Sequence, residues 1–302
     1  MPCYHPLEAA RSKTPDLQTG KHRISFHPKW ASQYEPINLP CGRCRGCRHE
    51  HARQWAVRCV HEAQLYDKNT FITLTFNEQN LNSKGTLVKA DFQNFIKRLR
   101  KHYYGNTKSD VRYFHCGEYG DNFGRPHHHA CLFNFDFPDK IPWQIKEGSQ
   151  LYRSETLEKL WPFGFSTIGA VTYDSAAYVA RYVIKKINGK LAPGHYQGRQ
   201  PEYTTMSRRP GIASAWYDKF GHTDVFPRDY VVLNGKKLKP PKYYSRIYEL
   251  TNPEEYGQIR LNRIALARLN PNNDPDRLKA AEKIQAQRDQ QLKRTYEKGI
   301  PQ

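Results

Sequence analysis

Apolar positions along the chain fall into short runs of different period. Residues 70–76 (TFITLTF) form a β-branched and aromatic run that predicts a buried strand. Trp55, Cys59, Glu62 and Leu65 recur near helical spacing and predict a helix over about 49–66. Phe92, Phe95, Ile96 and Leu99 do the same within 89–102, with Lys97, Arg98, Arg100 and Lys101 filling other positions. Residues 111–119 and 127–135 read as two strands joined by the turn-rich segment 120–126. A helix over 175–187 is predicted to open on Asp174 or Ser175 as its cap. Residues 1–50 show little periodicity, and 189–245, rich in Pro, Gly and Tyr, are expected to be irregular or meandering. From about Asn252 the chain is polar and helix-prone, with breaks near Pro271 and Pro275.

Strand–helix–strand–strand–helix is the order of an α+β domain with a central, largely antiparallel sheet and flanking helices. The expected organisation is a Cys-rich N-terminal segment and helix over 1–67 and a catalytic core over 68–190. A basic Tyr/Pro-rich extension with a polar helical tail covers 191–302.

Composition narrows the partner. The 302 residues carry 48 Lys+Arg against 29 Asp+Glu, a formal charge of +19, which suits a polyanionic ligand rather than an ordinary small metabolite. Hydrophobic content is 38%, but 13% aromatic residues supply a core and argue against global disorder. Tyrosines beside Lys and Arg put nucleic acid ahead of a membrane surface. The first twenty residues hold no apolar run of the signal-peptide kind, and no stretch of about 18 apolar residues occurs, so a protein without a membrane partner, in the cytoplasm, is expected. There is no GxxxxGK[ST] loop, hence no nucleotide-triphosphate motor of that type.

Three groups of side chains carry candidate chemistry. In Arg125-Pro126-His127-His128-His129, strand alternation sends His127 and His129 to one face and His128 to the other. Two imidazoles about 7 Å apart can converge on one cation. A hairpin through 120–126 would bring Glu118 beside them, giving a set suited to Mg²⁺ or Mn²⁺. The competing reading is a hydrogen-bonded or solvated His cluster. Tyr178 and Tyr182 lie four apart on the predicted helix and so share a face. Arg181 and Lys185 each follow a tyrosine by three residues, and a nearby cation favours phenolate over phenol. A phenolate attacking phosphorus would leave a covalent phosphotyrosine, whereas ordinary helix packing also yields such pairs. Cys41, Cys44 and Cys47 form C-x₂-C-x₂-C, with Cys3 as a fourth thiolate, a pattern for closed structural Zn²⁺. Free thiols or iron–sulfur ligation are alternatives, and His5, His49 and His51 are rival fourth ligands. Cys59, Cys116 and Cys131 sit in apolar contexts and read as small core residues.

In combination the motifs resemble the HUH endonuclease superfamily of rolling-circle replication initiators, and more narrowly the initiators of microviruses of the gokushovirus branch. Residues 71–76 resemble the first motif, 125–129 the metal motif, and 178–185 the paired-tyrosine motif Y-x-x-K-Y-x-x-K, with Arg181 in place of the first lysine. Segments 41–47 and 206–212 also look like the phage branch. The resemblance implies an RRM-like sheet and a divalent ion held by Glu118, His127 and His129. It also implies nicking and joining of a single-stranded DNA origin through a 5′-phosphotyrosine, with a host replicative helicase and polymerase as partners in the bacterial cytoplasm. Lys97, Arg98, Arg100, Lys101, Arg208 and Arg209 are candidate DNA contacts, since cations neutralise phosphates. The alternative function is a non-catalytic, zinc-stabilised nucleic-acid-binding protein.

Overall fold

A computed structural model describes residues 3–16, 22–27, 33–120, 124–146, 148–185 and 192–291, with 181–185, 290 and 291 as backbone only. Along the chain come β1 (Leu7–Ser12), β2 (Ile24–Ser25), β3 (Tyr34–Leu39) and α1 (Arg45–Ala63). Then follow β4 (Asn69–Thr75), α2 (Lys89–Tyr104), β5 (Arg112–Tyr119), β6 (Pro126–Phe133), β7 (Ile141–Lys146), β8 (Ser149–Arg153), α3 (Glu155–Leu160), β9 (Ser166–Gly169) and α4 (Tyr173–Lys185). The remainder comprises α5 (Ala192–Tyr196), β10 (Tyr203–Met206), α6 (Ser214–Phe220), β11 (Val231–Leu233), β12 (Lys236–Leu238), α7 (Lys242–Thr251), α8 (Pro253–Arg268) and α9 (Pro275–Gln291).

Two compact units result, Met1–Glu50 with Asn262–Leu292 and His51–Leu261 with Lys293–Gln302. In the first, β2-β1-β3 form an antiparallel sheet. Tyr4, Cys44 and the α9 residue Leu278 make a small core there, with Cys3, Cys41 and Cys47 packed against it. The strands of this sheet are mostly exposed or half-buried, so they carry no apolar alternation, and this is why residues 1–50 look aperiodic in the sequence.

The second unit is built on a seven-stranded sheet, ordered β10-β5-β6-β4-β9-β8-β7, in which every pairing is antiparallel. The expected α+β class with a central antiparallel sheet is what the chain adopts. β4 and β6 are buried along nearly their whole length because both faces of the sheet are covered. On one face Ile72, Leu74, Ala130 and Leu132 meet Phe92, Phe95, Ile96 and Leu99 of α2, together with Leu157 and Trp161. On the other, Phe71, Phe114, Cys116, Cys131 and Phe133 meet Ala56 and Cys59 of α1 and Ala176, Val179 and Ala180 of α4. Cys59, Cys116 and Cys131 are fully buried in this layer, and burial pushes the Cys59 and Cys131 thiols up.

Two local expectations change. The segment over 189–245 is not irregular: it contributes the edge strand β10, the hairpin β11–β12, and α5, α6 and α7. Its core is aromatic: Phe226 stacks on Tyr248, and Tyr217 packs edge-on against Phe226 and tilted against Tyr244. Tyrosine rings bury apolar area while a hydropathy pattern scores them as polar, so the periodicity is hidden. The cap of α4 is Thr172 rather than Asp174 or Ser175. Thr172 N donates to Ser175 Oγ at 2.8 Å and Ser175 N to Thr172 Oγ1 at 3.1 Å, a reciprocal capping box. The tail divides at the expected prolines, with α9 starting at Pro275. Among the described residues no helix is long and apolar enough to cross a membrane.

Trp161 ties the α2 face to the sheet. It is fully buried, donates from Nε1 to Thr75 O at 2.7 Å, and meets Phe76, Phe95 and Phe163 edge-on. Trp161→Ala is expected to cost about 3–5 kcal/mol, a large-to-small core change, read as a lower urea midpoint.

Candidate functional site

β6 lies between β5 and β4, and its register decides what surrounds the three histidines. Glu118 is directly opposite His127, Cys116 opposite His129, and on the other side Thr73 is opposite His129 and Thr75 opposite His127. Because side chains alternate, Glu118, His127, His129 and Thr73 share the sheet face that α4 covers.

There the contacts are close. Glu118 Oε1 lies 2.6 Å from His129 Nε2, with both side chains essentially inaccessible to solvent. His129 Nδ1 is 2.9 Å from Thr73 Oγ1, and His127 Nδ1 is 2.7 Å from the carbonyl of Arg125. The rings of His127 and His129 are parallel within 5°, their centroids 6.4 Å apart. Each ring thus has an oxygen partner at Nδ1, the kind of contact that orients metal-ligating histidines, and His129 presents Nε2 to Glu118. Gly120 makes room for His127, since a Cβ at that position would lie 2.9 Å from His127 Cε1.

His128 points to the opposite face, as alternation requires. Its Nδ1 is 3.1 Å from His115 Nε2, and its ring packs among Phe76, Phe92 and Trp161. Burial, with the neighbouring His127 adding to it, pushes His128 down to about 3, so it is a neutral core group. His115, stacked on Phe92 at 3.6 Å, is likewise held well below its ordinary value by burial.

α4 brings Tyr178 onto the same face as Glu118. The ring stands edge-on to His129, centroids 5.0 Å apart, and to Phe71, and the hydroxyl donates to Glu118 Oε1 at 3.4 Å. The backbone of α4 continues through Arg181, Tyr182 and Lys185, whose side chains lie outside the described residues. Thr73 and the Arg125 carbonyl are site groups that the motif did not reveal. Residues 70–76 give a strand, but the chain pattern does not say which strand it pairs with.

Residues 69–187 match the family model for replication-associated protein ORF2/G2P. The chain is 37% identical to replication-associated protein VP4 of Bdellovibrio phage phiMH2K, over 91% of this chain and 87% of that protein. It is 31% identical to replication-associated protein ORF2 of Spiroplasma virus 4, over 85% and 83% respectively. With replication-associated protein ORF4 of Chlamydia phage 1 the identity is 28%, over 68% of this chain and 52% of that protein. The chain belongs to this family of microvirus replication-associated proteins. No solved structure matches it.

This family member carries a second set of ligand-type side chains. The Sγ atoms of Cys3, Cys41, Cys44 and Cys47 all lie within 4.8 Å of one another, and the set could hold a metal such as zinc. Backbone N–H groups point at the sulfurs: Tyr4 N at 3.3 Å from Cys44 Sγ, Cys41 N at 3.2 Å from Cys3 Sγ, and Cys44 N at 3.3 Å from Cys41 Sγ. Burial opposes ionisation of Cys41, yet the N–H groups of Arg43 and Cys44 hold its thiol down at about 7. The rival ligands are engaged elsewhere. His5 pairs with Glu282 and His49 with Asp289, while His51 accepts from Trp55 Nε1 at 3.3 Å.

The basic candidates do not gather around Glu118. Lys97 and Lys101 are exposed on α2, which covers the opposite face of the sheet. Arg98 donates to Leu160 O at 3.0 Å and Arg100 to Val111 O at 2.8 Å. Arg208 and Arg209 are exposed beside Arg112, at the end of β5 remote from Glu118.

Purified protein is expected to contain about one zinc per chain by elemental analysis, as a closed four-thiolate site binds it. Cys44→Ser should lower that content and the thermal midpoint together. Full zinc-free stability in the unsubstituted chain would exclude a metal-dependent role for the cluster.

Proposed function

We propose that this replication-associated protein initiates rolling-circle replication as a metal-dependent, HUH-type endonuclease that nicks and rejoins single-stranded DNA at an origin. The observation that supports it most directly is the Tyr178 hydroxyl, 3.4 Å from Glu118 Oε1, on a helix packed over His129. Glu118, His127 and His129 would hold a divalent ion. One carboxylate oxygen and two Nε2 atoms fit Mn²⁺ or Mg²⁺, with positions left for phosphate oxygens. That ion, when bound, would polarise the scissile phosphate.

The chain's own groups then have defined tasks. Tyr178 or Tyr182 supplies the phenolate oxygen that forms a bond to phosphorus as the P–O3′ bond breaks. The 5′-phosphate stays on the tyrosine, and the departing 3′-oxygen takes up a proton as the 3′-OH that primes synthesis. Arg181 and Lys185, spaced one turn from the tyrosines, favour the phenolate. After one round the second tyrosine cleaves the regenerated origin, and the 3′-OH so released attacks the first phosphotyrosine, expelling phenol and closing the circle. Each exchange makes one phosphoester for one broken, so no nucleotide hydrolysis is required, consistent with the missing GxxxxGK[ST] loop. Unwinding and synthesis fall to a host replicative helicase and polymerase in the bacterial cytoplasm. In this reading the thiolate cluster is a structural Zn²⁺ site.

Tyr178→Phe combined with Tyr182→Phe should abolish the covalent protein–DNA adduct on an origin oligonucleotide and leave DNA binding largely intact. Persistence of the adduct would overturn the reading, and binding without any adduct in the unsubstituted protein would favour the non-catalytic alternative. Thr73→Val removes the oxygen at His129 Nδ1 and should weaken Mn²⁺ binding by about 10–100-fold in calorimetry, with Thr73→Ser restoring it. Equal affinity in all three would show that Thr73 does not support the ligand.

A further inference from the structure

At the start of β5 the protein has a cleft of about 610 Å³ that none of the proposed steps uses. Its lining brings together Lys108, Arg112, Arg208 and Arg209, with Arg100 beneath. Glu62 and Asp110 are the carboxylates in the lining, and Glu62 is already paired with Arg112 Nε. Lys108, Arg208 and Arg209 are exposed, and among the described residues they form no ion pair.

The loop that carries two of these cations is held firmly. Arg58 donates through Nε and Nη2 to Ile212 O, at 3.1 and 2.9 Å. Arg112 Nη2 donates to Pro210 O at 2.8 Å, and Ala213 N donates to the buried Glu62. Ser207 N bonds back to Tyr113 O at 3.0 Å, while Tyr113 N donates to Ser207 Oγ at 3.1 Å. Arg208 and Arg209 thus project from a backbone fixed at both ends, and their charges are not spent on that fixing. Tyr66 and Tyr113, half-buried in the same lining, add aromatic surface.

We infer that this cleft is a second DNA subsite, which holds the phosphodiester backbone of single-stranded DNA flanking the cleavage position. Cations beside accessible rings suit unpaired nucleotides, whose phosphates are neutralised while their bases stack. A duplex keeps its bases stacked on one another and gains nothing from the rings. Arg112 and Glu118 are six residue steps apart along β5, a span of roughly 20 Å, so the cleft engages nucleotides a few positions away from those at Tyr178. The inference rests on the proposed DNA chemistry for the identity of its ligand.

The test is the salt dependence of binding to a labelled oligothymidylate of about 20 nucleotides, followed by fluorescence anisotropy. Each lost phosphate contact on a single strand lowers the log–log salt slope by about 0.7, so Lys108→Gln, Arg208→Gln and Arg209→Gln together should lower it by about 2. Lys219→Gln, Arg228→Gln and Arg246→Gln remove equal charge from exposed positions elsewhere in the same unit and should leave the slope unchanged. A triple-variant slope equal to that of the unsubstituted protein, an equal fall in the control, or a fall seen only with a blunt duplex would each overturn the subsite. Adduct formation by the unsubstituted protein, scored separately on an origin oligonucleotide, reports on the nicking chemistry alone. Failure of either can therefore be told from failure of the other.

Discussion

The placement of β6 between β5 and β4 is the constraint on which the site depends. Three consecutive histidines are ambiguous as chemistry until a register assigns each a face, and a slip of one residue would exchange the faces completely. Here the two sides differ so strongly that the register is fixed. On one side His128 meets Phe92, Trp161 and His115 in a dry layer where only a neutral ring is tolerated. On the other, Glu118 and Thr73 offer oxygens to His129, and the Arg125 carbonyl offers one to His127. The same peptide thus yields one core residue and two oriented imidazoles.

Helices on both faces complete that register and set a tyrosine beside Glu118 and His129. α4 starts at the Thr172–Ser175 capping box and lays small residues, Ala176 and Ala180, into the layer shared with Phe71 and Cys131. That close seating lets Tyr178 reach the edge of His129 with its ring while its hydroxyl meets Glu118. α1 braces a different part of the same layer. Its Arg58 lies between the rings of Trp55 and Tyr243, at 4.1 and 3.9 Å, and its Glu62 receives Arg112, so one helix orders both the core and the loop over 207–213.

Much of this was legible in the sequence, for physical reasons that also mark the limit. The strands β4, β5 and β6 and the helices α2 and α4 could be read because their apolar residues repeat at the period of the element. The alternation of His127, His128 and His129 could be read for the same reason, and the short turn at 120–126 implied that Glu118 would lie nearby. The partners of β4 could not be read: nothing in residues 70–76 announces that Thr73 faces His129 rather than solvent. Nor could the aromatic layer of Tyr217, Phe226, Tyr244 and Tyr248, since tyrosine-rich segments with frequent Pro and Gly resemble loops until the rings are seen packed together. Cys3 is joined to the C-x₂-C-x₂-C run across 38 residues, a closure that spacing allows but does not require.

The two candidate metal sites also differ in what they leave open, and this bears on which ion the proposed reaction can use. Four thiolates satisfy a tetrahedral ion completely, which suits zinc in a purely structural task. Glu118, His127 and His129 would supply three donors of harder character. A tetrahedral ion there would keep one vacant position, whereas an octahedral Mg²⁺ or Mn²⁺ would keep three. The proposed exchange must hold a non-bridging phosphate oxygen while phosphorus passes from a 3′-oxygen to a tyrosine and back. Such open positions would let phosphate oxygens and water complete the shell without displacing a protein ligand. For the proposed reaction, that donor count would suit Mg²⁺ or Mn²⁺, even though zinc would bind imidazole more strongly by intrinsic affinity.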